Sequence, residues 1–446
     1  MYRKKINELI KWKNTIGRKP LVLKGARQVG KTWLMKEFGE SQYEQVAYIN
    51  MENNRLIKKT FEYELDPERI VKEISLQTGV KIDPDNTLII LDEIQAVPRA
   101  LTSLKYFCED APQYDIIVGG SLLGIALHEG TSFPVGKTDF IDLYPLTFGE
   151  FLVATGNEQF DEAISDLSAD KTLTNTFTPK LNALLKDYYV TGGMPEVVNK
   201  YIEDGNLLEV RNVQTQILEA YSDDFSKHAP RSAVPRIREI WRTIPSQLAK
   251  ENKKFMYQGI KKSARAGQYE EALLWLSDTG LATMVPRVNS YANPLMPYSD
   301  AEIFKLFMVD VGLLGAMSGL EPRTILDGDK IFTEFKGGLA EQFVFQELKA
   351  AGIKPFYFSR NDSRGEIDFI VQTGGTVAPL EVKASENLQS KSLKEFAKTH
   401  NPLISVRTSL SGYRDDGWLI NIPLYMISEV DSICQNKMQT LRKRGE

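Results

Sequence analysis

The segment Gly25-Ala-Arg-Gln-Val-Gly-Lys-Thr32 constrains the fold more strongly than any other part of the sequence. It follows a short apolar run at residues 20–24 and precedes a stretch with helical spacing at residues 33–38. A strand, a G-x-x-x-x-G-K-[ST] loop and a helix in this order are typical of phosphate-binding loops. Their glycines let backbone N–H groups approach phosphate oxygens without a Cβ in the way. The sequence therefore predicts an α/β nucleotide-binding domain.

This loop also predicts individual nucleotide contacts. Lys31 is expected to reach the β- and γ-phosphates, and the Thr32 hydroxyl is expected to ligate Mg²⁺. The helix that begins at Lys31 would direct its positive end toward the anion. A chance glycine loop is the competing interpretation, and the flanking strand and helix argue against it. The predicted nucleotide-binding residues of the loop are Gly25, Ala26, Arg27, Gln28, Val29, Gly30, Lys31, Thr32 and Trp33.

A second apolar run, residues 87–91, ends in two adjacent acids, Asp92 and Glu93. At the carboxyl end of a strand, Asp92 suits a direct or indirect partner of Mg²⁺. Glu93 suits the base that orients an attacking water. The alternative is an ordinary strand followed by an aspartate that caps a helix. With a phosphate-binding loop upstream, the first interpretation is favoured, and Lys31 and Glu93 are predicted to be catalytic.

Two more apolar runs, residues 46–50 and 114–119, alternate with helical segments. This alternation predicts a mostly parallel sheet with crossover helices. Ser121 follows the second run. It is expected either to sense the γ-phosphate or to cap the next helix, and we include it among the nucleotide-binding residues.

Composition excludes several other classes of protein. The 446 residues include 55 Lys+Arg and 59 Asp+Glu, a net charge of −4, so no global positive charge indicates a nucleic-acid partner. Two cysteines and three histidines make a disulfide framework or a His/Cys metal site improbable. Neither a signal-peptide pattern nor an 18-residue apolar run is present. We expect a cytoplasmic protein without a membrane partner.

The motifs together resemble the AAA-type branch of P-loop ATPases. More narrowly, they are similar to a prokaryotic group of ATPases with a C-terminal nuclease-like domain. The matching segments are residues 25–32, Leu-Asp-Glu-Ile-Gln at 91–95, Gly-Gly-Ser at 119–121, Leu-Tyr-Pro-Leu-Thr-Phe-Gly-Glu-Phe at 143–151, and Gly-Gly-Met-Pro at 192–195. The resemblance implies an ATPase that uses ATP and Mg²⁺, with Thr32 and Asp92 on the metal, and a homo-oligomer.

The chain departs from this group at one position. A Gly-Arg pair usually precedes the Tyr-Pro-Leu segment in the group, whereas here the pair is Gly136-Lys137. Lysine keeps the charge but lacks the planar fork of arginine. Any arginine finger is therefore unassigned, and Arg27 and Arg99 are the other candidates.

The middle of the chain, residues 151–300, reads as helical. Residues 226–290 contain 12 Lys+Arg and 5 Asp+Glu. Helices expected at 233–250, 259–266 and 269–279, followed by an apolar stretch, suggest a winged helix-turn-helix. The local charge predicts double-stranded DNA as a partner, through phosphates. The alternative is a solvated charged face. The best candidates for phosphate contacts are Lys253, Lys254, Lys261, Lys262 and Arg265.

The C-terminal part contains a second set of acids. A helix at 337–348 precedes strands at 355–358, 365–371 and 377–384, the order of the restriction-endonuclease-like fold, PD-(D/E)xK. Asp368 and Glu381 would converge on one Mg²⁺, and Lys383 would position a water. Glu341 would complete the metal set, with Glu347 as the alternative. A structural salt bridge is the competing interpretation of these residues, and the fold alone does not establish nuclease activity.

We therefore expect three domains: an AAA-type P-loop ATPase domain at 1–150, a helical lid and winged-helix region at 151–300, and a PD-(D/E)xK nuclease-like domain at 301–446. The expected function is ATP hydrolysis coupled to DNA binding or processing, with Asp368, Glu381 and Lys383 as a second catalytic set. The alternative is an ATP-dependent regulatory switch that binds a protein partner and carries an inactive nuclease fold.

Overall fold

The computed structural model describes residues 1–121, 123–126, 134–166, 175–250, 253–327, 333–359, 365–385 and 389–444. These residues form two compact units. Unit 1 comprises residues 1–145 and 274–281, and unit 2 comprises residues 146–273 and 282–446. None of the described helices is long and apolar enough to cross a membrane.

Unit 1 is built on a parallel sheet, sheet A, in which the described strands follow the order β2-β3-β4-β1-β5. The strands are β1 (Leu21–Lys24), β2 (Gln45–Asn50), β3 (Thr87–Asp92), β4 (Asp115–Gly119) and β5 (Asp139–Asp142). The helices along this part of the chain are α1 (Ile6–Lys13), α2 (Lys31–Gln42), α3 (Arg55–Tyr63), α4 (Pro67–Thr78), α5 (Pro98–Asp110) and α6 (Leu123–Ala126). The predicted α/β fold with a parallel sheet is confirmed.

The central strands of sheet A are buried along their whole length, as is typical of a parallel sheet that helices cover. Every residue of β3 and β4 is buried. Ile89 and Ile116 belong to one apolar cluster with Ile57 of α3 and Leu101 of α5. Burying side chains of this size contributes about 1.5–3 kcal/mol each. This packing fixes the strand ends on which the candidate site depends.

The strand order brings three chain segments to one edge of sheet A. Strand β4 pairs with β1 on one side and with β3 on the other. The loops that leave the carboxyl ends of β1, β4 and β3 are therefore neighbours, and this is the edge where open α/β sheets bind ligands. The segment after β1 is the glycine-rich loop, and the segment after β4 contains Ser121. Strand β3 ends at Asp92, and Glu93 follows it directly.

Unit 2 combines helices with a mixed sheet, sheet B, whose described strands follow the order β12-β13-β11-β10-β9-β8-β6-β7. Its strands are β6 (Ala282–Val288), β7 (Ser299–Met308), β8 (Phe356–Phe358), β9 (Ile367–Thr373), β10 (Thr376–Val382), β11 (Ser405–Ser409), β12 (Arg414–Asp415) and β13 (Leu419–Pro423). Apolar side chains of β9, β10 and β13, such as Ile370, Val377 and Leu419, share a core with Leu393 and Phe396.

The remaining helices follow the chain from residue 148 onward. They are α7 (Phe148–Ala154), α8 (Glu158–Ser165), α9 (Thr178–Thr191), α10 (Pro195–Asp204), α11 (Leu207–His228), α12 (Val234–Leu248), α13 (Glu270–Asp278), α14 (Val311–Met317), α15 (Pro322–Asp327), α16 (Thr333–Ala350), α17 (Lys391–His400) and α18 (Val430–Arg444). Helix α13 contributes residues to both units, since residues 274–281 belong to unit 1.

The expected winged-helix elements are present only in part. Helices α12 and α13 occur where they are predicted, but residues 259–266 do not form an α-helix and are flanked by two short 3₁₀ turns. This stretch is mostly exposed, and a short helix without a buried face cannot offset its nucleation cost. The hairpin of β6 and β7 lies in sheet B. The winged-helix assignment stays a prediction.

The predicted boundaries at 150 and 300 fall inside helix α7 and strand β7. The three-domain division stays a prediction as well.

Candidate functional site

The glycine-rich loop joins β1 to α2, as the motif predicts. Gly25 has φ = 153°, and a Cβ placed there would lie 2.2 Å from the backbone oxygen of Leu143, so only glycine fits. The Nζ atom of Lys31 donates hydrogen bonds to the backbone oxygens of Gly25 at 2.9 Å and Ala26 at 2.7 Å. These bonds hold the ammonium inside the curve of the loop.

Burial lowers the pKa of Lys31 to about 8. Desolvation is the main cause, and the nearby charges of Glu93 and Asp92 oppose it, whereas Arg27 adds to it. A desolvated ammonium among backbone carbonyls gains more from a phosphate than a hydrated one does. The loop is therefore arranged to take an anion at this position.

Thr32 and Asp92 meet at the start of α2. The Thr32 hydroxyl donates a hydrogen bond of 2.6 Å to Asp92 Oδ2, and the Tyr48 hydroxyl donates to the same atom at 3.1 Å. Burial and the Asp92 charge raise the pKa of Tyr48 to about 12, so the phenol stays a donor. Mg²⁺ prefers oxygen ligands and takes few of them from the protein. The Thr32 and Asp92 oxygens therefore fit an ion bound together with a nucleotide.

Glu93 is the next residue along the chain and has an unusual backbone conformation, with φ = 52°. Its Oε2 atom accepts hydrogen bonds from the Ser121 hydroxyl at 3.3 Å and the Ser121 N–H at 3.4 Å. The predicted γ-phosphate sensor and the predicted base are thus in direct contact. Gln95 Nε2 also donates to Glu93 Oε2, at 2.5 Å. Gln95 lies inside the Leu-Asp-Glu-Ile-Gln segment, but the sequence alone predicts no role for it.

Two supports of the loop could not be found by motif. Arg3 is only 3% exposed and donates from Nη1 to the Val29 backbone oxygen at 2.7 Å and from Nη2 to that of Tyr144. Residues 274–281 also belong to unit 1, and a Cβ on Gly280 would lie 3.4 Å from the Ala26 nitrogen. Neither Arg3 nor Gly280 carries a local sequence signal, because their partners are distant along the chain.

The remaining predicted loop residues differ in exposure. Val29 and Ala26 are buried, whereas Gln28 and Trp33 are exposed, Trp33 to 39%. Among the other finger candidates, Arg99 Nε donates to the Phe61 backbone oxygen at 2.8 Å, and Lys137 pairs with Glu109 at 2.8 Å. An arginine finger stays unassigned.

The second acidic set lies in unit 2. Strands β9 and β10 form an antiparallel hairpin with Leu380 opposite Phe369, so Asp368 and Glu381 occupy neighbouring positions, as expected. Asp368 Oδ2 accepts a hydrogen bond from the Val382 N–H at 2.8 Å. Lys383 Nζ lies 2.9 Å from Glu381 Oε1. Burial, with the nearby Glu341 charge, raises the pKa of Asp368 above its usual value.

The carboxylate of Glu341, which is predicted to bind a metal ion, pairs with two lysines. Its carboxylate pairs with Lys253, and its Oε2 lies 3.3 Å from Lys305 Nζ. Lys305 is fully buried and also pairs with Glu366 at 2.6 Å. Burial alone would raise the pKa of Glu341, but Lys305 and Lys253 outweigh it and hold the pKa below its usual value. Among the described residues, no three His, Cys, Asp or Glu side chains are arranged to hold a metal ion.

The predicted roles of this set are therefore supported unequally. Asp368, Glu381 and Lys383 lie on neighbouring strands, while Glu341 is engaged by lysines. The alternative acid, Glu347, accepts a hydrogen bond from the Phe148 N–H at 2.9 Å. A nuclease site stays a prediction.

The residues predicted to form a basic surface differ in their exposure and in their ion pairs. Lys253 pairs with Glu341 and only 14% of its side chain is exposed, so it is not part of a basic surface. Lys261 pairs with Glu239 at 3.3 Å. Lys262 and Arg265 are exposed. A sequence count of charges cannot separate surface lysines from buried ones, since both satisfy the same local pattern.

Comparisons with known families match three segments of the chain. Residues 17–152 match the family described as an AAA domain. Residues 182–324 and 336–425 match two families described as domains of unknown function, DUF8612 and DUF4143. No curated protein matches the chain.

Solved structures give distant likenesses. A Walker-type ATPase of Pyrococcus abyssi is 14% identical, over 71% of this chain and 95% of that one, with a TM-score of 0.44. The Aeropyrum pernix ORC2 protein, in ADPNP and ADP complexes, is 15% identical over 73% and 95%, with a TM-score of 0.35. The Aeropyrum pernix ORC1 protein in complex with DNA is 11% identical over 72% and 93%, with a TM-score of 0.27. Because these TM-scores lie below 0.5, the domain type is assigned from the match of residues 17–152 to the AAA domain and from the parallel sheet A. The chain carries an AAA-type P-loop ATPase domain.

Proposed function

We propose that the chain binds and hydrolyses Mg²⁺-ATP at the carboxyl edge of sheet A. The observation that carries this proposal is the 2.6 Å contact between Thr32 and Asp92, with Lys31 and Glu93 beside it. Phosphoryl transfer needs positioned charge more than covalent chemistry. This edge supplies a buried ammonium, two oxygen ligands and the Glu93 carboxylate close to one another.

Each residue has a defined task in this proposal. Lys31 leaves the Gly25 and Ala26 oxygens and binds the β- and γ-phosphates. Thr32 and Asp92 hold Mg²⁺, which when bound neutralises charge on the phosphate oxygens. Glu93 accepts a hydrogen bond from the attacking water and aligns it with the γ-phosphorus. Ser121, which contacts Glu93 directly, reports the presence of the γ-phosphate to that carboxylate.

We further propose that ATP turnover is coupled to double-stranded DNA. The support is the exposed part of the basic region, in which Lys262 and Arg265 are the best remaining phosphate contacts. The lid at 151–300 and the C-terminal domain at 301–446 would carry the nucleotide state to this partner. The cytoplasmic location and the homo-oligomer predicted from the sequence belong to the same proposal.

A second function is favoured by the lysine partners of Glu341. A regulatory switch would bind a protein partner in response to ATP and would use the C-terminal domain for binding only. Lys253 and Lys305 together bring two positive charges to the acids of this domain, the same charge as one Mg²⁺. This arrangement supports an inactive nuclease fold.

The two functions differ in their response to DNA, which can be measured with the full chain. ATP turnover should rise several-fold when double-stranded DNA is added, and DNA binding should weaken steeply as salt increases. The variant Lys262→Glu/Arg265→Glu should lose the stimulation and keep the turnover without DNA. Lys11→Glu, a charge reversal at an exposed lysine of α1, serves as the control. Turnover that DNA does not change would favour the switch and a search for a protein partner.

A further inference from the structure

The carboxylate of Glu93 is held by more than the γ-phosphate sensor. Its Oε2 atom accepts the 2.5 Å hydrogen bond from Gln95 Nε2 and two longer bonds from Ser121. The Gln95 bond is the shortest of the three, and it comes from a residue two positions along the chain, in the 3₁₀ turn Ile94–Ala96. A carboxylate fixed through one oxygen keeps the other for a separate hydrogen bond.

The orientation of the Gln95 amide is set by its surroundings. Flipping the amide would place its oxygen against the Glu93 carboxylate, and two acceptors repel each other. The Oε1 atom is therefore directed away from Glu93. It is buried and has no hydrogen-bond partner among the described residues.

Gly120 leaves the space that this amide fills. A Cβ on Gly120 would lie 1.9 Å from Gln95 Oε1, so the glutamine packs directly on the backbone that follows β4. A buried acceptor without a hydrogen-bond partner destabilises the folded state. The Gln95 amide thus has one end in an unfavourable environment, at Oε1, while its other end, Nε2, donates a hydrogen bond to Glu93.

We propose that Gln95 is a positioning residue for ATP hydrolysis. Its Nε2 atom fixes Glu93 Oε2 so that the other carboxylate oxygen faces the attacking water. Its contact with Gly120 ties this orientation to the loop that carries Ser121. A general base must be held in hydrogen-bonding geometry with the water that it activates, and a displacement of about 1 Å can cost about 100-fold in rate.

This proposal rests on the proposed ATPase function and predicts a specific kinetic pattern. Gln95→Met keeps the size of the side chain and removes the donor, and it should lower kcat by about 10- to 100-fold. The KM for ATP and the melting temperature should stay close to those of the wild type, because the hydrogen bond that Gln95 donates goes to Glu93 and not to the glycine-rich loop. Gln95→Glu should be at least as slow, since two carboxylates would then face each other.

The experiment is steady-state ATP turnover by the full chain and by Gln95→Met, Gln95→Glu, Glu93→Gln and the double variant Glu93→Gln/Gln95→Met. Gln113→Ala, at an exposed glutamine of the same unit, is the control and should match the wild type. Because Gln95 acts through Glu93, the double variant should be no slower than Glu93→Gln alone.

Three outcomes would overturn the proposal: a kcat of Gln95→Met within twofold of the wild type, a loss expressed only in KM, or a double variant whose losses multiply. If the melting temperature of Gln95→Met is lower than that of the wild type, the kcat and KM of Gln95→Glu are judged by the same criteria. A wild type that hydrolyses no ATP would instead contradict the proposed function, so the two failures can be told apart.

Discussion

Lys31→Ala should lower ATP turnover by about 100- to 1,000-fold, the range found when one preorganised charge contact is removed from a reaction centre. The ammonium is buried among the backbone oxygens of Gly25 and Ala26, and no other lysine lies in the loop. Steady-state phosphate release from Mg²⁺-ATP measures the effect.

The control for this variant is Lys58→Ala, at an exposed lysine of α3 in the same unit. It should leave turnover unchanged. Lys31→Ala that still hydrolyses ATP at the wild-type rate would remove the glycine-rich loop from the mechanism and with it the assignment of the site.

Lys305→Met should destabilise unit 2 by about 3–5 kcal/mol, which is the cost of breaking a buried ion pair by removing one partner. Lys305 is fully buried between Glu341 and Glu366, and methionine would fill the space without the charge. Glu341 would then keep its ion pair with Lys253 but lose the one with Lys305, and Glu366 would also lose its ion pair with Lys305. Urea denaturation followed by a probe in unit 2 measures the change.

The matched control for Lys305→Met is Lys262→Met, because Lys262 is exposed. Its free energy of unfolding should stay within about 0.5 kcal/mol of the wild type. An equally small change in Lys305→Met would show that the cluster of Lys253, Lys305 and Glu341 does not stabilise the fold, and the argument for an inactive nuclease fold would lose its support.

The nucleotide site could be predicted from the sequence because its signals are local. The loop at 25–32 encodes its own conformation through glycines, and Asp92 and Glu93 follow directly after an apolar strand. Parallel pairing then brings these strand ends together. A motif that is complete within eight residues can be recognised without knowing how the rest of the chain folds.

The residues that support this site could not be predicted in the same way. Arg3 bonds to backbone oxygens 26 and 141 residues away. Gln95 is close to Glu93 in sequence, but its function depends on the space left by Gly120, which only the packing of β3 against β4 reveals. Such contacts are properties of the tertiary structure and leave no periodic pattern.

The edge strand β5 and the burial of Lys253 could not be predicted from the sequence either. Strand β5 reads Asp-Phe-Ile-Asp, with a single buried residue, so it lacks the apolar run that identifies β3 and β4. Lys253 was expected on a DNA-binding surface and instead pairs with Glu341, 88 residues later. A lysine in a charge-rich segment carries no mark of burial, because the acid that receives it lies elsewhere in the chain.

The most direct test of the central claim compares the wild type with Glu93→Gln, measuring ATP binding and ATP hydrolysis on the same preparations. Glutamine keeps the shape of the side chain and removes the carboxylate that orients the water. The account predicts that both proteins bind Mg²⁺-ATP with similar affinity, while only the wild type turns it over at a substantial rate. A wild type that binds no ATP, or a Glu93→Gln variant that hydrolyses it as fast as the wild type, would contradict the account.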